Sequence, residues 1–494
     1  MYGRRVAKLT SILDVAKAMI AERDLDALLR IIVGEAAEVV DADRCSLFLV
    51  DRDRRVLWSK IAQGMIGGEE IRVPLDKGIA GWVATSGEVI NLPDAYADPR
   101  FHREVDQATG YRTRALLCVP MRNTRGEVVG VLQALNNRSG GAFSDEDAEL
   151  LEVLGGQAAG AVENALLHDE IQRLFEGFVK AAVVAIESRD PSTAGHSERV
   201  AHLTLGLADA VEQGGRGPWA GIRFTGDQRM EIRYAALLHD FGKVGVREHV
   251  LVKANKLYPE ERRTLEQRVA YARKSIEADS LKRRLDILLR GGAKADLERE
   301  ELACAQQIAA LDEAWEFVLR CNKPTVLPAG GFERLAEIAQ RTFPGVAGTP
   351  EPLLTPDEVR VLSIPQGSLS PEERQEIESH VEHTFRFLSQ IPWTRGLRGV
   401  PHIAGAHHEK LDGSGYPNRL RPDEIGVEAR MMAIADIYDA LTASDRPYKK
   451  AVPHQMALTI LGDEVKSMKL DGHLYELFVE ADIAARVHAP ARAR

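Results

Sequence analysis

Apolar residues recur with two different periods along this chain of 494 residues, and each period predicts a kind of structure. Residues 25–165 mix helical spacing with short strand-like runs. The runs 45–51 and 56–62 flank a charged turn, and the runs 114–123 and 127–137 flank Thr-Arg-Gly, so each pair predicts a β-hairpin. Helices and hairpins in this order predict an α+β domain with an antiparallel sheet.

A second helical pattern begins after Ser144, a favourable N-cap residue that precedes three acidic residues. It continues without a breaker and predicts a connecting helix over 145–188 that overlaps two domains. Apolar positions along it alternate in spacing between four and three, which suits packing on its own domain and also a parallel dimer helix. We expect a homodimer through this helix. The positions concerned are Leu151, Leu154, Ala158, Ala161 and Ala165.

The two ends of the chain and its remaining length are predominantly helical in pattern. Residues 1–24 predict an amphipathic helix and not a signal peptide, because charged residues interrupt the apolar stripe. From residue 180 the spacing is helical almost throughout, which predicts an all-α region. Residues 476–494 end in a charged stretch and are interpreted as a C-terminal tail.

Composition excludes several classes of protein. A net charge of −10 argues against a protein that coats nucleic acid, because such proteins normally present a basic face. The 4 cysteines lie far apart and form no CxxC pair, so a disulfide framework is not expected. No uncharged apolar run reaches the roughly 20 residues that span a bilayer. We therefore expect a soluble cytoplasmic protein with neither a membrane nor a nucleic acid polymer as partner.

Histidine and aspartate are concentrated in a few motifs of the helical half. Adjacent His–Asp and His–His pairs occur in LLHDFGKVG and AGAHHEKLDGSGYP, and further candidates occur in EIESHVEH, IADIYDAL and RDPSTAGHSERV. Imidazole and carboxylate ligands without thiolates suit iron, manganese or zinc, and an aspartate can bridge two ions. Two bridged ions can clamp a phosphodiester during in-line displacement, so these ligand types predict hydrolysis of a phosphate ester.

Four segments together resemble the HD-GYP family of cyclic di-GMP phosphodiesterases: HDFGKVG, HHEKLDGSGYP, ADIYDALTASDRPYKKA and AIESRDPSTAGHSERV. The resemblance implies a metal centre of iron or manganese rather than zinc, in which Asp240 bridges the ions. The implied reaction is hydrolysis of cyclic di-GMP to pGpG and then to GMP. The implied ligands are His239, Asp240, His380, His407, His408 and Asp436, with His196 at a position that also reaches the centre in some members.

The same resemblance implies roles for other residues. By its spacing, Lys243 lies three residues and hence one helical turn after Asp240, where it could face the same pocket and support the scissile phosphate or a metal-bound water, so Asp240 and Lys243 are predicted to be catalytic. The glycines of the name-giving loop permit a tight backbone path near the ligand, and its tyrosine can stack or hydrogen-bond there. The alternative for the basic pair in DRPYKK is a solvated charged turn. The implied substrate-binding residues are Gly413, Gly415, Tyr416, Pro417, Arg446 and Lys449.

The chain departs from the family pattern at two places. Some members bind a third ion through a glutamate where this chain has Ser192, so we expect a dinuclear centre. In addition, LYPEERRTLEQR and LSPEERQEIESH are two versions of one family segment, and only the second ends in a histidine, His380. We interpret 257–368 as a mostly helical insertion. The competing interpretation takes Arg268 as a lost ligand and leaves the enzyme crippled.

The first half of the chain resembles a GAF domain in DKGIAGWVATSGEVINLPDAYADPRF, LLCVPM and GVLQALNN. Its ligand, a small molecule or a protein, stays unassigned, because Asn137 and Ala148 replace the Lys and Glu of a cyclic-nucleotide-binding signature. The predicted fold class is an α+β GAF-like sensor domain (25–165) followed by an all-α HD-type domain (180–256 and 369–475) with a helical insertion. Alternatives are the same chemistry on another cyclic dinucleotide, such as cyclic GMP-AMP, and a non-catalytic signalling scaffold.

Overall fold

The computed structural model describes residues 15–19, 21–22, 24–59, 71–189, 194–327, 330–345, 349–443 and 451–488. The chain divides into two compact units, Met1–Gly177 and Phe178–Arg494. The first is α+β and the second is predominantly helical, which confirms the predicted fold class. Among the described residues, no helix is both long enough and apolar enough to cross a membrane.

The first unit is built on a six-stranded antiparallel sheet. Its strands are β1 (Ala42–Asp51), β2 (Val56–Ser59), β3 (Ile71–Pro74), β4 (Ile90–Leu92), β5 (Leu116–Arg122) and β6 (Val128–Asn137). Their order in the sheet is β3-β2-β1-β6-β5-β4. The two predicted hairpins are present, since β1 pairs with β2 and β5 pairs with β6. Gly126 in the second turn has φ 80°, a conformation that favours glycine.

Both faces of this sheet are apolar because helices cover both of them. Leu47 of β1 packs in a core shared with helix α1 (Leu25–Val39), whereas the adjacent Phe48 packs on the other side against helix α2 (Gly78–Ser86). Successive side chains of a strand point to opposite faces, so an almost continuous apolar run suits a sheet that is covered twice. A short helix α3 (Arg103–Thr109) lies between β4 and β5.

The connecting helix α4 (Asp145–Glu187) has 43 residues, close to the predicted range. Ser144 is its N-cap, because its Oγ accepts a hydrogen bond from the amide of Asp147 at 3.2 Å. The five positions interpreted as a possible dimer seam are all buried in the core of the first unit. Their assignment to a dimer seam is therefore wrong, because these positions pack on their own domain in one core with Leu47 and Leu132 of the sheet.

Further along the same helix the apolar side chains are exposed. Leu167, Ile171, Leu174 and Phe178 follow spacings of four, three and four and are each at least half exposed. Such a stripe is the pattern of a two-stranded coiled coil. The homodimer stays a prediction, and these residues are the ones that would form its seam.

The second unit begins within α4 and continues with helices that surround the histidine motifs. They are α5 (His196–Gly214), α6 (Gly226–Leu238), α7 (Glu248–Leu251), α12 (Pro371–Leu388), α13 (Val400–Gly405), α14 (Val427–Thr442), α15 (His454–Lys466), α16 (Gly472–Glu480) and α17 (Ile483–His488). Helices α8 to α11 belong to the segment described next. A 3₁₀ turn, Phe241–Gly245, follows α6. Phe478 and Ile483 are buried, so part of the tail predicted from residue 476 packs into the fold.

The segment predicted as an insertion contains α8 (Pro259–Leu289) and α9 (Lys294–Cys321), two long helices that pack on each other. Two short helices, α10 (Gly331–Ala339) and α11 (Pro356–Leu362), and a small hairpin, β7 (Thr342–Pro344) with β8 (Pro350–Pro352), complete it. Leu265, Phe317 and Leu335 contribute to an apolar cluster made only of residues 257–362. A core of its own is what an inserted subdomain needs in order to fold beside its host.

Candidate metal centre

The second unit brings seven predicted ligand residues together from five parts of the chain. His196 is the first residue of α5, and His239 and Asp240 directly follow α6. His380 lies in the middle of α12, His407 and His408 follow α13, and Asp436 lies in α14. Their side chains form three overlapping groups in which the ligand atoms lie within 4.8 Å of one another. The groups are His380 with His407 and His408, His196 with His239 and Asp436, and His239 with Asp240 and His407.

Three of these histidines have one ring nitrogen fixed by a hydrogen bond, while the other has no hydrogen-bond partner among the described residues. The Nδ1 atoms of His239, His380 and His407 donate to the carbonyl oxygens three residues earlier, at 2.7, 2.5 and 2.6 Å. This fixes the proton on Nδ1 and leaves the Nε2 lone pair bare. All three Nε2 atoms are buried and make no hydrogen bond to any residue that the structure describes. A buried polar atom without a partner is costly, and three that converge on one site fit a divalent cation as the missing partner.

The two aspartates lie between the histidines and could each contact more than one ion. Oδ1 of Asp240 lies 3.3 Å from Nε2 of His380, and its Oδ2 lies 3.5 Å from Nε2 of His239. Oδ1 of Asp436 lies 3.2 Å from Nε2 of His196, and its Oδ2 lies 4.0 Å from Nδ1 of His408. Nitrogen and carboxylate oxygen donors of this kind suit first-row divalent metals, and each carboxylate can bridge.

The electrostatics around His407, His408 and Asp240 favour the protonation states that bind metal. Burial lowers the pKa of His407 well below its usual value, and the neighbouring His408 adds to the effect. Burial likewise lowers the pKa of His408 to about 4. Burial alone would raise the pKa of Asp240, but Lys243 and His239 hold it well below its ordinary value. Neutral imidazoles and ionised carboxylates are the forms that bind a cation.

His196 differs from the other histidines because side chains hold it. Its Nδ1 lies 2.7 Å from Oδ2 of Asp439, whose carboxylate also accepts from Nε and Nη2 of Arg199 at 2.6 and 3.0 Å. Burial alone would lower the pKa of His196, but Asp436 and Asp439 raise it to about 9. The sequence interpretation missed Asp439 and Arg199. The signal was available, because Asp439 follows Asp436 at i+3 on one helix face.

The turn that carries Asp240 is locked onto the helix that carries His380. The buried hydroxyl of Thr384 accepts from the amide of Gly242 at 2.8 Å and donates to the carbonyl of His239 at 2.9 Å. The absence of a side chain at Gly242 makes this approach possible, because a Cβ there would overlap the carbonyl oxygen of His380. Lys243 lies in the same turn, with Nζ 2.8 Å from Oδ2 of Asp240.

The predicted substrate loop lies against the histidines at one point and away from them at another. The Tyr416 ring centroid is 4.8 Å from that of His408. Gly413 has φ 74°, and a Cβ on Gly415 would lie 2.6 Å from Cα of Glu409, so both positions require glycine. Pro417 lines a separate cavity of about 560 Å³ that none of the seven clustered residues lines.

Glu409 is a further residue that the sequence interpretation missed. Its buried carboxylate accepts from the amides of Asn418 at 2.7 Å and Leu420 at 2.9 Å and so braces the end of the loop. Arg446 and Lys449, predicted to neutralise phosphate, and Ser192, on which the expectation of two ions rests, lie outside the described residues.

The repeated family segments occupy different places in the fold. His380 lies in the cluster, whereas Arg268 of the first version lies in the inserted segment and contacts the carboxylate of Glu358 at 2.6 Å. The two versions meet where the insertion leaves its host, since the hydroxyl of Tyr258 donates to Glu373 at 2.5 Å. Arg268 therefore has a structural partner of its own.

Comparisons with known protein families find one GAF match and two HD matches in this chain. A family profile described as a GAF domain matches residues 24–162, and two profiles described as HD domains match residues 193–313 and 352–474. The chain thus carries a GAF domain followed by a helical HD domain, and the HD profile together with the His/Asp cluster implies a divalent metal centre.

Two curated relatives are similar over part of the chain. One is the dual 3′,5′-cyclic-AMP and -GMP phosphodiesterase 11A of Takifugu rubripes, 41% identical over 167 residues, which are 31% of this chain and 18% of that protein. The other is the probable 3′,5′-cyclic phosphodiesterase pde-5 of Caenorhabditis elegans, 37% identical over 174 residues, 33% of this chain and 24% of that protein. The chain thus spans less than a quarter of either relative's length.

The chain is also similar, over about a third of its length, to solved structures of other proteins. The GAF domain of a phosphoenolpyruvate-protein phosphotransferase from Coxiella burnetii is 24% identical and covers 34% of this chain and 98% of its own, with a TM-score of 0.31. A GAF domain/HD domain protein from Geobacter sulfurreducens is 19% identical and covers 29% of this chain and 95% of its own, with a TM-score of 0.26.

Proposed function

We propose that this protein is a metal-dependent phosphodiesterase of the HD-GYP type that hydrolyses cyclic di-GMP under the control of its GAF domain. The observation that carries the proposal is the convergence of three buried, unpartnered Nε2 atoms on two carboxylates. The ions are proposed to be two, and iron or manganese rather than zinc. The motif set of the GYP loop, with Tyr416 beside His408, supports the family and the dinucleotide substrate.

The proposed reaction adds water across one phosphodiester bond of the ring. The bond between phosphorus and the 3′ oxygen breaks, the phosphate keeps the oxygen of water, and the 3′ oxygen takes a proton, which gives linear pGpG and, after a second cleavage, GMP. Two divalent cations would supply Lewis-acid stabilisation of the phosphate and lower the pKa of the attacking water. His239, His380, His407, His408, Asp240 and Asp436 are proposed to hold them, with His196 at the edge of the set.

The chain's own residues contribute charge and position. Lys243, at 2.8 Å from Asp240, keeps that carboxylate ionised and places a cation where a scissile phosphate would lie. The Tyr416 ring forms one wall beside His408. Arg446 and Lys449 are proposed to neutralise the dinucleotide's other charges.

A second candidate function is hydrolysis of a cyclic mononucleotide. The activities for which the two curated relatives are named favour it, because both are called 3′,5′-cyclic nucleotide phosphodiesterases, one of them a probable one. The alignment with each relative is shorter than the GAF and HD matches taken together, so each relative is similar to only part of the matched domains. The same two-metal chemistry would serve this substrate, and only the base and ring contacts would differ.

The test is anaerobic purification, loading with ferrous iron or manganese, metal analysis, and chromatography of the products formed from cyclic di-GMP, cyclic GMP-AMP, cyclic AMP and cyclic GMP. His407→Ala should bind less metal and lose more than the roughly 10–100-fold that outer-shell changes cost. His402→Ala is the control, since His402 is an exposed histidine of the neighbouring helix α13.

Each outcome of this experiment is informative. Cleavage of cyclic di-GMP to pGpG by the wild type but not by His407→Ala supports the proposal. Preferential cleavage of a cyclic mononucleotide would establish the second candidate. Metal binding without hydrolysis of any of the four would favour a signalling scaffold, and the proposal would then be abandoned.

A further inference from the structure

The C-terminal end of the long helix α4 contacts two elements that carry metal-centre residues. The carboxylate of Glu187, its last residue, accepts from the amide of Gly195 at 2.9 Å and from the amide of Ser197 at 3.4 Å. The guanidinium of Arg189, two residues on, donates to the carbonyl of Val244 at 2.5 Å and to that of Val246 at 3.3 Å. All these residues belong to the second unit.

The contact of Glu187 supplies a cap that helix α5 lacks. Gly195 is the N-cap of α5, has φ 66°, and has no side chain to accept from the first amides of the helix. Those amides have no intrahelical partner, and an anion beside them is favoured by the helix dipole. Because His196 is the first residue of α5, the carboxylate of Glu187 fixes the backbone on both sides of this histidine.

The contact of Arg189 fixes the turn on the other side of the centre. Val244 belongs to the 3₁₀ turn Phe241–Gly245, which directly follows Asp240, and the amide of Val246 donates to the carbonyl of Lys243 at 3.1 Å to close the turn. A planar guanidinium that binds two carbonyls two residues apart restricts both of them. A shift of Arg189 would therefore be passed to the backbone between Asp240 and Val246.

We propose that Glu187 and Arg189 are positioning residues that together form a clamp between the end of helix α4 and the metal centre. Glu187 sets His196 and Arg189 sets the turn of Asp240 and Lys243, so the clamp holds at a fixed separation two parts of the centre that come from different helices. Through it, a displacement of the end of α4 changes metal affinity without touching a ligand. The inference rests on the proposed metal centre and identifies the two residues through which the end of α4 would control it.

The test measures metal binding by the full-length chain and does not depend on turnover. Calorimetric titration of the metal-free protein with Mn²⁺, together with metal analysis, should show for Glu187→Ala a dissociation constant raised at least about 10-fold or the loss of one ion, the size of effect that outer-shell partners have. Glu187→Gln keeps an oxygen acceptor and should recover most of the affinity. Glu198→Ala is the matched control, because Glu198 is an exposed carboxylate in the first turn of the same α5.

Arg189 is tested in parallel. Arg189→Ala should also weaken Mn²⁺ binding, and Arg189→Lys should behave like it, because an ammonium cannot hold two carbonyls in a fork. Lys180→Ala, at an exposed position on α4, is the control for loss of charge. Thermal unfolding of each metal-free variant separates weak binding from poor folding.

The binding results of these variants either support or overturn the clamp. Weakened binding in Glu187→Ala with recovery in Glu187→Gln, and normal binding in both controls, supports the clamp. Wild-type affinity in both Glu187→Ala and Arg189→Ala overturns it, as does an equal loss in the controls. If the wild type itself binds no metal, the proposed function fails and the clamp with it, whereas normal wild-type binding with unaffected variants removes the clamp alone.

Discussion

Gly242 is the residue at which a single methyl group would separate two halves of the proposed centre. A Cβ at this position would overlap the carbonyl oxygen of His380 and would lie 2.5 Å from the amide nitrogen of Thr384. Comfortable carbon contacts are about 3.5–4.0 Å. Gly242→Ala therefore requires the turn of Asp240 to move away from helix α12 by at least about 1 Å.

The consequence can be sized from the geometry. A misplacement of about 1 Å can cost on the order of 100-fold in rate, and overpacking a core costs about 1–3 kcal/mol. The same movement would stretch both hydrogen bonds of Thr384, which are now 2.8 and 2.9 Å long. We expect Gly242→Ala to fold with a lowered Tm, to bind Mn²⁺ more weakly, and to lose about 100-fold in kcat/KM.

The assay combines calorimetric Mn²⁺ titration, differential scanning calorimetry and hydrolysis kinetics. Gly226→Ala is the control, because a Cβ at this helical glycine meets nothing within 4 Å. If Gly242→Ala bound Mn²⁺ and turned over like the wild type, the tight approach of the turn to α12 would have no part in positioning the ligands. An equal loss in Gly226→Ala would have the same meaning.

Two further predictions concern the ion pair at the start of α12 and the exposed stripe of α4. Arg247 holds the pKa of Glu376 at about 2, so the pair stabilises the fold above the usual carboxyl pKa and this stability is lost as the pH falls through about 2. The Tm difference between the wild type and Glu376→Gln should therefore shrink as the pH is lowered from about 5 to 3. A Tm difference that stays constant over this range would contradict the stabilising role of the ion pair. Leu174, which is 76% exposed, should be needed for a dimer, so Leu174→Glu should be a monomer by light scattering. Leu281→Glu, at a 60% exposed leucine of α8, is the control and should not change the oligomeric state. A monomeric wild type would refute this.

Periodicity predicted the elements better than it predicted what they pack against. The strands around Leu47 and the long helix after Ser144 follow from spacing and capping, which are local properties. The same spacing could not show that Leu151 and Ala158 face their own sheet and not a second chain, because apolar helix faces look alike whatever covers them.

The site was predictable where a residue acts through its own chemistry. Histidines and aspartates in adjacent pairs predicted the cluster that the structure brings together. Asp439, Thr384 and Glu409 were missed because each acts by holding another residue from a distant part of the sequence. Such roles arise only when the fold brings the partners together, so apart from the i+3 spacing of Asp439 from Asp436 no pattern along the chain marks them.

The way in which the histidines are oriented bears on how the centre can change over generations. His239, His380 and His407 take their orientation from carbonyl groups, which every amino acid supplies, so no substitution elsewhere can remove those partners. His196 instead relies on Asp439 and Arg199, two side chains that mutation can erase. Of these four histidines, His196 is therefore the one whose orientation can be lost through the largest number of different substitutions. Descendants of this sequence should lose or replace its contribution first and should keep the other three histidines longest.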